Sequence, residues 1–289
     1  MKRMTIVAAI LAAASTTFWL DNHADSADGP PLPPPYEGGE MIQKLLTRLP
    51  TLELKETGPQ KYVFTCDYFQ LDEAGALTGK ERISATYTRG LPGGAIRWDD
   101  VRIARAKGFD DEFPEGEPQD YMNGFSYNAA NVKDMLKENF FPGFPDVIVT
   151  KNLVWDTHMF EMFGWNHFDK LGLNEPYRLP REDLSLPGGS TFQNKQIELT
   201  WLGISKRNGR LCALVGYQAM FNKLEVIAQK TLRFKGRSHY WGTIWVSLTD
   251  KQIEYASLNE DVLLGFELPN VPGKRIVNPV RQGTFQRKR

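Results

Sequence analysis

The sequence predicts a mainly β (α+β) fold, an antiparallel meander forming a strongly curved sheet or open barrel with a few covering helices. Three observations predict it. Residues 196–268 alternate apolar and polar side chains over four or five successive runs, the two-residue period of strands with one buried face. These runs are separated by short turn signals, among them Asn208-Gly209, whose tolerance of positive φ makes it a strong hairpin signal. Residues 61–105 show the same periodicity earlier in the chain, broken by glycine-rich turns.

The chain opens with Lys2 and Arg3, followed by residues 4–20 without a charge. A basic start before an apolar stretch is the pattern of an export signal. Residues 1–27 are assigned to an export signal or an uncleaved N-terminal anchor. Ala24-Asp25-Ser26 and residues 12–14 offer small residues for cleavage, while the apolar stretch also reaches the lower end of the ~17–25 residues that span a bilayer. The segment holds no cysteine for lipid modification. Both readings place the mature domain outside the cytoplasm: periplasmic or secreted, or anchored to the inner membrane by a tether through residues 4–20. Residues 28–40 form an acidic, proline-rich linker in which Pro30, Pro31, Pro33, Pro34 and Pro35 favour an extended polyproline II spacer. Residues 41–270 are expected to form a single β-rich domain. Residues 271–289 carry Lys274, Arg275, Arg281, Arg287, Lys288 and Arg289 without an acid, and are expected to be a flexible basic tail.

The chain has 289 residues, with Lys plus Arg equal to Asp plus Glu at 35 each. This balance, and the lack of a basic face with aromatics in register, excludes a nucleic-acid partner.

In chain order, residues 41–49 place Ile42, Leu45, Leu46 and Leu49 at helical spacing before Pro50. Strands follow over 61–70 and 81–88, then the Leu91-Pro92-Gly93-Gly94 turn. Over 95–105 the apolar phase switches from Ile96 and Trp98 to Val101 and Ile103, predicting a bulge near Asp99-Asp100. Residues 110–120 are acidic, but they lack the glycine-centred spacing of a calcium loop and are stiffened by Pro114 and Pro118, so a solvated surface loop is expected. A helix is predicted over 131–139, a strand over 147–149, and a long crossover loop over 177–189. The C-terminal strands are expected near 196–203, 211–217, 226–234, 240–248 and 252–258.

The chemically suggestive cluster is 155–169. Its Trp155, Met159, Phe163 and Trp165, facing a sheet that carries Trp201, Trp241 and Trp245, are the candidate ligand-binding residues. If Asp156 caps a helix, His158 and Glu161 stand one turn apart, and His167 or Asp169 could complete a metal site of imidazole and carboxylate. The plainer reading is an amphipathic helix whose aromatic residues plug the sheet. Cys66 and Cys212 lie in strand-like runs, either as a disulfide or as two buried thiols.

No serine-hydrolase elbow, zinc-protease motif, phosphate loop, dinucleotide fingerprint or haem-attachment motif occurs, and no cofactor is implied. The leading expectation is an exported, non-enzymatic envelope protein that binds a protein partner or an apolar small molecule on a curved sheet. The alternatives are a metal-dependent hydrolase built on His158, Glu161 and His167, and an accessory subunit of a membrane complex. In architecture alone the expected sheet is similar to the half-barrels that carry lipids or lipoproteins in the bacterial envelope. No residue motif carries that likeness, and function does not follow from fold.

Overall fold

The computed structural model describes residues 48–145, 148–228, 232–267 and 273–288. All lie in the compact unit Glu40–Arg289. The expected export segment, the linker and nearly all of the 41–49 helix fall outside the described residues. No helix among the described residues is long and apolar enough to cross a membrane.

The strands are β1 (Gln60–Leu71), β2 (Leu77–Leu91), β3 (Ala95–Ala106), β4 (Glu117–Pro118), β5 (Ser126–Asn128), β6 (Tyr177–Arg178), β7 (Glu182–Ser185), β8 (Thr191–Asn194), β9 (Gln196–Arg207), β10 (Arg210–Ala228), β11 (Leu232–Ser247), β12 (Ile253–Glu267) and β13 (Lys274–Arg287). Among the described residues one α-helix, α1 (Ile148–Glu161), interrupts them. The fold is mainly antiparallel β, as predicted, and the sheet stays open. Its order is β4-β3-β2-β1-β13-β12-β11-β10-β8-β7, with β5 on β3, β9 on β10 and β6 on β9. Two meanders, β1–β3 and β9–β13, are joined where β1 pairs with β13, with Cys66 opposite Gly283.

Local chemistry explains the turns. Asn208 and Gly209 take φ of 51° and 75°, the paired positive values of a two-residue hairpin turn, and link β9 to β10. Asp100 has φ 53° where the β2–β3 register shifts between Ser84 and Thr86, which is the bulge implied by the change of apolar phase.

Several expectations are corrected. The 226–234 stretch is not one strand: β10 ends at Ala228 and β11 begins at Leu232, with these two residues paired. Of the expected 147–149 strand, Ile148 and Val149 instead open α1, because the apolar run continues at helical spacing through Leu153, Val154 and Phe160, while residue 147 lies outside the described residues. The 131–139 helix is replaced by two short 3-10 turns, Ala129–Asp134 and Glu138–Phe140. The basic tail is largely strand β13. Its charges are met across the sheet: Arg281 Nη1 reaches Glu260 at 2.7 Å, and Arg287 Nη1 reaches Glu254 at 2.7 Å. The acidic loop is solvated as expected, with Asp110, Asp111, Glu112, Glu115, Glu117 and Asp120 exposed. Lys80 Nζ donates to the Phe109 carbonyl at 2.7 Å and to the Asp111 carbonyl.

The core is strongly aromatic. Tyr62 stacks on Phe285 with centroids 4.5 Å apart, and Phe64 meets Phe160 edge-on at 6.0 Å. Tyr217 on β10 lies across Gly242 on β11 and donates to the Ser257 carbonyl of β12 at 2.8 Å. A Cβ at Gly242 would collide with that carbonyl and with the Tyr217 hydroxyl, so only glycine leaves room for the crossing.

Candidate functional site

Helix α1 crosses one face of the sheet, here called the inner face. Val149, Thr150, Leu153, Val154, Asp156, Thr157, Phe160 and Glu161 are buried, recurring at three- and four-residue intervals. The stripe is broad and half polar, because both of its acids are held by arginines of the sheet.

Arg281 of β13 donates from Nη2 to Asp156 and from Nη1 to Glu260, while Ser238 Oγ donates to Glu260 at 2.5 Å. Burial, set against the pull of Arg281, pushes the Asp156 carboxyl up to about 7, with the neighbouring Glu260 adding to the rise. One cation between two carboxylates favours a proton on one of them. At the other end of the stripe, Arg89 of β2 donates to Glu161 at 2.5 Å and also to Glu56, and the Tyr87 hydroxyl donates to Glu161 at 2.6 Å. Burial again raises the Glu161 carboxyl, opposed by Arg89 and Tyr87. The Arg89 guanidinium lies 4.3 Å from the Trp165 ring centroid.

Around this strap the structure gathers part of the sequence-predicted set. Phe163 is buried against Tyr217 at 5.4 Å. Trp155, half-buried, donates from Nε1 to the Met135 carbonyl at 3.3 Å. Met159 and Trp165 are half-buried against the core. Trp201 is buried, with its indole N–H on the Gly203 carbonyl at 2.7 Å. Trp241 and Trp245 do not join them. On β11 the inward positions are Tyr240, Ile244 and Val246, so both tryptophans project from the opposite, outer face.

Among the described residues no group of three His, Cys, Asp or Glu side chains is placed to hold a metal ion. Glu161 is committed to Arg89, so His158, His167 and Asp169 have lost their central carboxylate. Burial lowers the pKa of both His158 and His167. Cys66 and Cys212 form no disulfide; each is a buried free thiol, pushed by burial up to about 12.

Two surface cavities of about 490 and 430 Å³ are lined by residues of 67–113 and 125–142, and neither includes a residue of α1. The inner face beneath the strap is occupied by side chains.

Sequence reasoning missed the two buried arginines, Arg89 and Arg281. A lone arginine in an apolar alternation, as in Tyr87-Thr88-Arg89, is the one local signal that could have marked them. It also missed Phe221, which is 67% exposed and held at φ 59° in a β10 bulge.

No family model matches the chain, and no curated relative matches it. Among solved structures, one of lipovitellin describing lipid–protein interactions aligns with 82% of this chain at a TM-score of 0.34 and 11% identity. The chain covers 26% of that lipovitellin chain. A likeness this low carries no argument about function.

Proposed function

We propose that this chain is an exported, non-enzymatic envelope protein that binds a partner through its curved sheet. The observation that supports the reading is the contrast between the two faces. The inner face is plugged by α1 and closed by paired charges, whereas the outer face presents Trp241 at 41% and Leu202 at 45% exposure. Beneath the strap Asp156 and Glu161 are held by Arg281 and Arg89, and Cys66 and Cys212, pushed up to about 12, supply no thiolate nucleophile at neutral pH. A filled inner face favours a partner held on the surface over a small molecule enclosed beneath the strap.

Export enters this proposal through the Lys2-Arg3 start and the uncharged residues 4–20. Retention of that segment would make the protein a membrane-tethered accessory subunit. Cell fractionation with intact-mass measurement, combined with a photo-crosslinking residue at position 241, tests the reading. A mature or anchored form outside the cytoplasm, with adducts at position 241, is expected. A full-length cytoplasmic protein without adducts overturns it.

A further inference from the structure

The outer face of the C-terminal meander is ordered into rows. Gln218, Trp241, Asn259 and Gln282 lie side by side across β10, β11, β12 and β13. The next row carries Thr243, Ser257 and Thr284, and the one after it Trp245, Tyr255 and Gln286. Neighbouring strands sit about 4.8 Å apart, so these side chains form one continuous platform. Its rings are concentrated on β11 and β12, with Trp245 and Tyr255 packed edge-on at 5.2 Å. Its remaining members are hydroxyls and amides.

Most of the charge around the platform is paired at its margins: Asp67 with Arg82 at 2.6 Å, Arg237 with Asp261 at 2.8 Å, and Glu198, which accepts from Gln218, with Arg178 at 2.7 Å. The Arg207 guanidinium lies over the Tyr255 ring at 4.0 Å.

A second observation points to the same surface. Phe221 stands beside His239, ring centroids 5.9 Å apart, in a left-handed backbone conformation that a bulky side chain adopts only under constraint. The constraint is visible. Asn222 is buried, donates to the Ala219 carbonyl at 3.1 Å and accepts from the Lys195 N–H at 3.2 Å, which fixes the bulge. The strand is thus bent in a way that turns a phenylalanine ring into solvent beside His239, two positions along β11 from Trp241. A bulge that re-aims a side chain is a recurrent device next to binding sites.

We propose that this outer face is a glycan-binding platform that takes an extended neutral polysaccharide, its sugar rings stacked on Trp241 and Phe221 and its hydroxyls bonded to Gln218, Asn259 and Gln282. The proposal rests on the reading of the chain as a binding protein and supplies the ligand class. Neutral sugars match both components: C–H faces lie on aromatic rings, and hydroxyl edges both donate and accept, as amides do. Other occupants match one component only. A purely apolar ligand, or the apolar centre of a protein partner, would strip water from the amides without replacing their hydrogen bonds. Nucleic acid and anionic lipid headgroups call for cations arrayed across the face, and the three rows hold none. An added peptide strand needs a free edge, whereas β11, β12 and β13 are bonded on both sides.

The test uses the purified full chain and three neutral hexasaccharides: β-1,4-linked glucose, β-1,4-linked N-acetylglucosamine and α-1,4-linked glucose. Binding is read by calorimetry and tryptophan fluorescence, with neutral phosphatidylcholine vesicles as the apolar control. Binding of at least one sugar is expected, insensitive to salt and weakened about tenfold by Trp241→Ala, with a smaller loss for Asn259→Ala, at unchanged melting temperature. Absence of binding to all three sugars, or binding that Trp241→Ala leaves intact, overturns the proposal. If the sugars fail while the vesicles bind or position 241 crosslinks to a protein, the glycan assignment falls and the binding-protein reading stands. If all fail, both fall.

Discussion

Asp156 of helix α1 and Arg281 of strand β13 form a buried ion pair across 125 residues of chain, and Arg281 shares its charge with Glu260. This pair fixes the middle of α1 to the junction of the two meanders. Its protonation follows from its surroundings. A proton held in the folded state by a carboxyl raised to about 7 contributes stability that is complete below the ordinary carboxylate pKa and is lost as pH rises through about 7. Asp156→Asn keeps the shape without the titration. Relative to the wild type it is expected to gain stability progressively between about pH 4 and 8. Urea unfolding at pH 4, 6 and 8 checks this, and a difference that stays flat with pH refutes the raised carboxyl.

Removing the cation has the opposite effect. Arg281→Met leaves Asp156 and Glu260 facing each other without a counter-charge, and Arg89→Met does the same to Glu161. Breaking a buried pair from one side costs about 3–5 kcal/mol. Each variant is expected to melt well below the wild type, with Arg89→Met/Glu161→Gln recovering part of the loss. A double-mutant cycle measures the coupling, and additive effects would show that the pair does not act as a unit.

Much of the framework was legible because it is local. The Asn208-Gly209 turn, the Asp100 bulge and the inward set Tyr62, Phe64, Cys66 and Tyr68 follow from neighbours in sequence. Strand β13 was not legible, since its run of bases reads as solvated chain until Glu254 and Glu260 are brought beside it. The face of Trp241 and Trp245 was equally hidden: β11 is apolar on both sides, so alternation alone cannot say which side is the core. Of the readings of 155–169, the aromatic plug matches the buried Phe160 and Phe163, but the arginines that hold the strap come from distant strands.

Gly242 tests the crossing of Tyr217 over the sheet. Even one methyl group there meets the Ser257 carbonyl and the Tyr217 hydroxyl. Gly242→Ala is expected to destabilise by about 3 kcal/mol, through overpacking and loss of the Tyr217–Ser257 hydrogen bond. A melting temperature within a degree or two of the wild type would mean that β11 relaxes there without cost.

Cys66 and Cys212 provide a probe of global opening. Both thiols are buried and pushed up to about 12, so neither supplies thiolate at neutral or mildly alkaline pH. Neither is expected to react with iodoacetamide at pH 8 in the native protein, whereas both react fully in denaturant. Rapid modification of either thiol in the native state would show local opening of β1 or β10.

Phe221 sets stability against exposure. Its φ of 59° costs about 1–2 kcal/mol for a residue with a Cβ, and its ring is mostly in water, so little packing offsets that cost. Phe221→Gly removes the strain and loses only the edge contact with His239. The variant is expected to be more stable than the wild type by about 1 kcal/mol, and to bind neutral hexasaccharides more weakly. Chemical denaturation and calorimetry on the same preparation separate the two effects. Lower stability would show that the ring supports the bulge. Higher stability with weaker binding is the signature of a residue kept for its exposed face, and it would place the strain of β10 at the binding surface.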